Sequence, residues 1–257
     1  MCRLRCCCVR LLAIGVMLAA VAVPRAAHAV TYTWDAGGGA DLNWSTSANW
    51  VDDPVVNFLT SGTNDLVFGT AGTTSAPSAT NYSLRSLTFT RAFTTGTNDN
   101  TNSIGLGSGG LTMTDAVNGQ VNVNWVLNLT ADSFIQNNSN QNFSTIRGFS
   151  ASGGARTLTN NGTGTNSVIV VPNGVGIGSN VTLIQDSLTS SFQANLNFQM
   201  GGSLIIRKGL FSWSVNATPT TGTITLGSTA ATASDWATFA HGWDGAGSNS
   251  DLSLIHI

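Results

Sequence analysis

Few groups in this chain could do chemistry, and they are unevenly placed. Trp34, Trp44 and Trp50 fall in one glycine-rich stretch, WDAGGGADLNWSTSANW. Exposed indole faces stack on sugar rings, whereas packed indoles bury about 150–250 Å² each. The stretch therefore reads as a carbohydrate platform or as an apolar plug over the end of a fold. The plug is the stronger reading, because the open end of a stacked β structure must be covered. Asp35 and Asp41 flank Gly37-Gly38-Gly39 and could offer carboxylates to Ca²⁺. No D-x-D-x-D-G loop or nonapeptide repeat accompanies them, so they read as turn caps and no metal is expected. Asp52-Asp53 is the one adjacent carboxylate pair, and Pro54 follows it. Neighbours on a strand point to opposite faces, so the pair suits a solvated turn better than a catalytic site.

A nucleophilic triad would have to use His241, in AHGWDG, which reads more simply as a turn histidine beside Trp243. No G-x-S-x-G elbow, H-E-x-x-H pair or phosphate-cradling loop is present. All twelve acidic residues are aspartate, Lys208 is the lone lysine, and Arg207-Lys208 is the lone adjacent basic pair. No catalytic residue and no cofactor is expected. A polysaccharide-cleaving enzyme using aspartates and Arg207 in a groove stays as a remote alternative.

The two ends differ in style from the body. Arg3, Arg5 and Arg10 precede the apolar run LLAIGVMLAAVAV, 11–23, and Ala27-His28-Ala29 is a small-x-small site. The run is too short to span a bilayer comfortably. Residues 1–29 read as a secretory signal peptide cleaved after Ala29. Cleavage removes all four cysteines, so the remainder can form no disulfide. It also removes Arg3, Arg5, Arg10 and Arg25, leaving six basic residues against twelve aspartates. Such a surface does not attract nucleic acid, and membrane contact is expected only through the signal peptide or a C-terminal anchor beyond this sequence. DLSLIHI, 251–257, does not share the Thr/Asn/Gly style that precedes it, and residues 250–257 read as a non-native, adapter-derived tail.

The elements that must position these groups are strands. Short alternating runs include DLVF (65–68), YSLRSLTF (82–89), GLTMT (110–114), QVNVNWVLNL (120–129), SFIQ (133–136) and FSTIRGF (143–149). ARTLT (155–159), SVIVV (167–171), NVTLIQ (180–185), ANLNF (194–198), SLII (203–206), LFSWSV (210–215) and GTITL (222–226) continue the series. Period-two alternation marks strands with one buried face, and no helical stripe competes with it. Run starts every 10–12 residues suit either a β-sandwich or a β-solenoid. Asn/Gly/Ser corners, Asn and Thr inside the runs, and very low charge favour the solenoid. Residues 30–62 then form a Trp/Gly-rich N-terminal cap and residues 63–249 the rungs. Trp125 and Trp213, inside alternating runs, are expected in the core.

The opening tryptophan segment, followed by Asn64-Asp65-Leu66-Val67-Phe68, resembles the N-terminal part of bacterial autotransporter-associated β-strand repeat proteins. Leu84-x-x-Leu87-x-Phe89, Gly110-Leu111-Thr112-Met113-Thr114, Val126-Leu127-Asn128-Leu129 and Gly222-x-Ile224-x-Leu226-Gly227 are similar to the rungs of that family. The family's usual G-x-G-T-L-x-L-x-G repeat has no clear copy here. The resemblance implies an all-β, right-handed parallel β-helix exported to the cell surface as a structural or adhesive passenger without catalytic activity. Extracellular polysaccharide or neighbouring surface proteins are the implied partners. The alternative is a secreted carbohydrate-binding module acting through Trp34, Trp44 and Trp50.

Overall fold

The computed structural model describes residues 29–55, 58–70, 72–73, 82–95, 103–171, 175–195, 198–213, 218–219, 222–227 and 235–241. Residues 1–28 of the signal segment and the 250–257 tail lie outside these. The described residues carry 21 strands and two single-turn 3₁₀ segments, Ser47–Asn49 and Phe58–Thr60. Every strand pairing is parallel, and the chain coils into a β-solenoid. Among the described residues no helix is long and apolar enough to cross a membrane.

The coil has three faces, each a stack of parallel strands. One face is built on Thr31–Trp34, Asp65–Phe68, residues 86–89, residues 110–113, Ser133–Asn137, Arg156–Asn160, Val181–Asp186, residues 203–206 and Ile224–Leu226. On the second, Phe93 pairs with Val121, Val121 with Phe143, Phe143 with Val168, Val168 with Phe192, Phe192 with Phe211 and Phe211 with Phe239. On the third, Tyr82, Ile104, Leu127, Phe149, Ile177 and Met200 follow one another. From Leu66 onward, partners on the first face lie 20 to 25 residues apart along the chain. One coil is therefore about twice the 10–12-residue spacing seen between sequence runs, because a coil contains more than one run.

Alternation decides which side chains point inward, and stacking then lays apolar on apolar, in places like on like. Phe192 and Phe211 stack at 5.2 Å and 7°, and Phe211 and Phe239 at 6.1 Å and 9°. Leu84, Leu106, Leu129, Leu158, Leu183 and Leu204 are fully buried. Burying one such side chain stabilises by about 1.5–3 kcal/mol, so each coil contributes only a modest share and depends on its neighbours. Trp125 and Trp213 are core residues, 0% and 1% exposed.

Polar side chains do two jobs. They cross-link coil to coil: between the paired strands Phe93–Thr95 and Val121–Val123, Asn122 Nδ2 donates to Thr94 Oγ1 at 3.1 Å, and at a corner the Thr163 amide donates to Asn138 Oδ1 at 3.0 Å. Inside one corner they replace the apolar stack. Asn160 pairs with Ile135 below and Gln185 above, and Asn160 Nδ2 donates to Gln185 Oε1 at 2.7 Å and to the Ser190 carbonyl at 3.0 Å. Gln185 Nε2 donates to the Ser187 and Ser190 carbonyls, both at 2.9 Å. These amides satisfy backbone carbonyls turned inward at the bend, which an apolar residue would leave unpaired.

Many strands coincide with the sequence runs, but Thr31–Trp34, residues 103–109 and Ala237–His241 are strands that no run marked, Asn195 and Phe198 of the run ANLNF are not strand, and other runs divide or join at corners. QVNVNWVLNL divides into Val121–Val123 and Val126–Leu129, with Asn124 turning the chain. There the Asn124 amide donates to Thr95 Oγ1 at 3.1 Å and Asn124 Nδ2 to the Thr95 carbonyl at 2.8 Å. FSTIRGF divides likewise into Phe143–Ile146 and Gly148–Ala151. Conversely, SLII and the LFSW of the next run are one strand, Ser203–Trp213, that bends through Gly209 at φ 81°.

Candidate functional site

The tryptophan segment is built as an end-piece. Trp34 closes the first strand, in register with Phe68 of the next coil. The chain then makes the glycine turn at 37–40 and returns along the opposite edge of that strand. The Val51 amide donates to the Thr33 carbonyl at 2.9 Å, the Asp35 amide to the Asn49 carbonyl at 3.0 Å, and Trp34 and Trp50 form an antiparallel bridge. Part of the outer edge of the first strand is thereby occupied by backbone running the opposite way to every strand in the stack.

Trp34, Trp44 and Trp50 are 1%, 0% and 1% exposed. Trp34 and Trp50 meet edge-to-face at 5.1 Å, and Trp44 and Trp50 at 6.2 Å. Trp44 reaches into the coil, stacking on Tyr82 at 5.7 Å and 2° and meeting Trp125 edge-on at 4.9 Å. Trp50 Nε1 donates to the Trp44 carbonyl at 2.8 Å, locking the two together. No ring face is open to solvent, so the platform reading of Trp34, Trp44 and Trp50 does not fit this geometry. The physical reason is the end of the solenoid itself: its first apolar layer needs a cover, and these rings are that cover.

Asp35 and Asp41 organise the return loop. Asp35 Oδ1 accepts from the Gly37 amide at 2.9 Å. Asp41 Oδ1 accepts from the Asn43 amide at 3.0 Å and from Asn43 Nδ2 at 2.6 Å, and Oδ2 from Thr46 Oγ1 at 2.6 Å. The Thr46 hydroxyl, more than the two Asn43 donors, holds the Asp41 carboxyl below its ordinary value of 3.8. Buried Asn49 ties the loop from beneath, its Nδ2 donating to the Asp41 and Asn43 carbonyls at 2.6 and 2.9 Å. Both carboxylates are engaged as turn caps, and among the described residues no three His, Cys, Asp or Glu cluster in a way that could hold a metal.

The remaining candidates are dispersed. Asp52 and Asp53 are exposed in a turn with φ 67° and 43°. His241 ends the last described strand, in register with Trp213. Arg207 and Lys208 lie on the first face, where a register shift sets both against Asp186, at 3.5 and 3.6 Å. A two-against-one bulge of this kind re-aims a side chain that regular alternation would turn inward.

That bulge borders a feature the sequence reading missed. A shallow groove of about 450 Å³ runs along the outer side of the first face, with Phe134, Thr159 and Ile184 along its floor. These three are register partners in successive coils. The signal was present in the sequence: Phe134 and Ile184 are apolar residues at outward positions of runs whose inward positions are already filled. Periodicity alone cannot show that outward residues 25 apart lie side by side.

No protein-family model, curated protein or solved structure matches the chain.

Proposed function

We propose that this chain is an exported β-solenoid passenger with a structural or adhesive role at the cell surface, without catalytic activity. The observation that carries the reading is the capped parallel stack itself: the interior is close-packed apolar side chains and hydrogen-bonded amides, and a solenoid of this kind presents a long, polar, weakly charged surface. The Arg-led apolar segment ending at Ala29, and the similarity of the opening segment to autotransporter-associated β-strand repeats, support export. Extracellular polysaccharide and neighbouring surface proteins are the partners such a location offers.

The test is cell fractionation of a C-terminally epitope-tagged chain with and without residues 1–29, together with protease shaving of intact cells. Export predicts a mature N-terminus at Val30 and loss of the tag on shaving. Retention of an unprocessed chain in the cytoplasm would remove the proposal.

A further inference from the structure

The groove on the first face has a chemistry of its own. Its floor is a single outward ladder, Phe134–Thr159–Ile184, with Ile205 next in register. Phe134 is laid onto the coil below by Gly110: a Cβ there would stand 2.6 Å from Phe134 Cδ2 and Cε2, and Gly110 adopts φ 69°. The missing side chain lets the ring settle against the backbone while it still lines the groove. Ile184 is 6% exposed and sits two coils along. Parallel strands are about 4.8 Å apart, so the two apolar contacts are about 9.6 Å apart along the solenoid axis.

The walls are polar. Thr157 lines one side, and Asn161 and Arg207 line the other. The side chains of Thr159 and Asn161 make no hydrogen bond to another described residue. The charges cancel: Arg207 and Lys208 face Asp186, and Asp132 Oδ1 accepts from the Thr157 amide at 2.8 Å. The groove therefore offers apolar patches at a two-coil interval, uncommitted hydroxyl and amide groups beside them, and no excess charge.

From this we infer that the groove binds a neutral, extended polysaccharide lying along the solenoid axis. A pyranose has apolar ring faces and a hydroxyl rim, which match the floor and the walls. In an extended β-1,4 chain each sugar advances by close to one coil spacing, so alternate sugars fall on Phe134 and Ile184. An extended peptide fits less well. Its side chains return to the same side only about every 6.6 Å, out of step with the two-coil interval, and the face offers no unpaired backbone edge for it to join. An acidic glycan would need cation excess, and Asp186 and Asp132 remove it. This inference does not depend on export of the chain.

The test is isothermal titration calorimetry of the full chain with cellohexaose, xylohexaose and mannohexaose. Hexagalacturonate and a soluble extended hexapeptide serve as controls, and amide hydrogen exchange is measured with and without sugar. Binding of at least one neutral hexasaccharide is expected, with slowed exchange at 133–135, 157–161 and 183–185. Phe134→Ala should weaken it roughly tenfold. Thr159→Arg, which fills the groove from a partly exposed position, should abolish binding while leaving the circular dichroism and melting curve in place. Failure of all three neutral sugars to bind overturns the inference. So does binding that survives Thr159→Arg, or binding of the hexagalacturonate or the peptide in their place.

Discussion

Replacing Trp44 by alanine separates a cover from a platform. Trp44 is 0% exposed and contacts Trp50, Phe68, Tyr82 and Trp125, with ring centroids 4.9 to 6.2 Å away. Its Nε1 is buried with no partner, so truncation removes packing without breaking a hydrogen bond of the indole. Area burial of about 150–250 Å² at about 25 cal/mol/Å² gives about 4–6 kcal/mol as an upper bound. Measured Trp→Ala core substitutions cost about 3–5 kcal/mol, and the lower part of that range is expected here, because an end-piece can collapse more freely than a central layer. A solenoid is nearly one-dimensional, so the loss should be felt locally. Hydrogen exchange followed by mass spectrometry is the assay. Trp44→Ala should lower protection by two orders of magnitude or more in residues 31–34, 65–68 and 82–89, since about 3 kcal/mol corresponds to more than a hundredfold. Residues 203–213, five coils away, should exchange as in the parent. Unchanged protection near the N-terminus would refute the cover argument, because a ring that costs nothing to remove is not packing the first coil.

Other substitutions probe the same reasoning. Gly110→Ala should destabilise by about 1–2 kcal/mol in chemical denaturation, because its φ of 69° is strained for alanine and its Cβ collides with Phe134; an unchanged midpoint would contradict the placement of that ring. Asn160→Ala leaves Gln185 Oε1 and the Ser190 carbonyl each short of a donor at a buried corner, and should cost about 1–3 kcal/mol. Asn160→Leu should be no milder, and a stabilised leucine variant would show that the amide stack is dispensable. The hydrogen bonds that depress the Asp41 carboxyl contribute stability above its ordinary value of 3.8, and that contribution is lost as pH falls through the lowered value. Acid titration followed by tryptophan fluorescence should therefore show loosening of the end-piece below about pH 3.8, and Asp41→Asn should lack that component. Arg85, exposed and hydrogen-bonded to Asp65, has its guanidinium held above its ordinary range by that bond, so this pairing persists throughout the accessible alkaline range.

The strand class was legible because each run carries its own evidence: DLVF and YSLRSLTF alternate, and they are the strands Asp65–Phe68 and Tyr82–Phe89. Several short strands were harder. Phe93–Thr95, Val175–Ile177 and Phe192–Ala194 have three residues each, too few for a period to show, and their pairing rather than their composition makes them strands. Corners such as Asn124 were hidden inside longer runs because a bend needs only one residue whose side chain meets the coil below.

The sequence by itself determined that the body is all β, that one side of each run is buried, and that no cluster of reactive groups is written into any local motif. Those properties depend on neighbours along the chain, and alternation reports them directly. The fate of the tryptophans and the existence of the groove were decided only by the tertiary structure. Whether an indole is a platform or a cover depends on what lies across from it, and Trp44 meets Tyr82 and Trp125, far away in sequence. Phe134, Thr159 and Ile184 form one floor because the coil returns to the same face every 25 residues there, a coincidence set by the stack and by no single run.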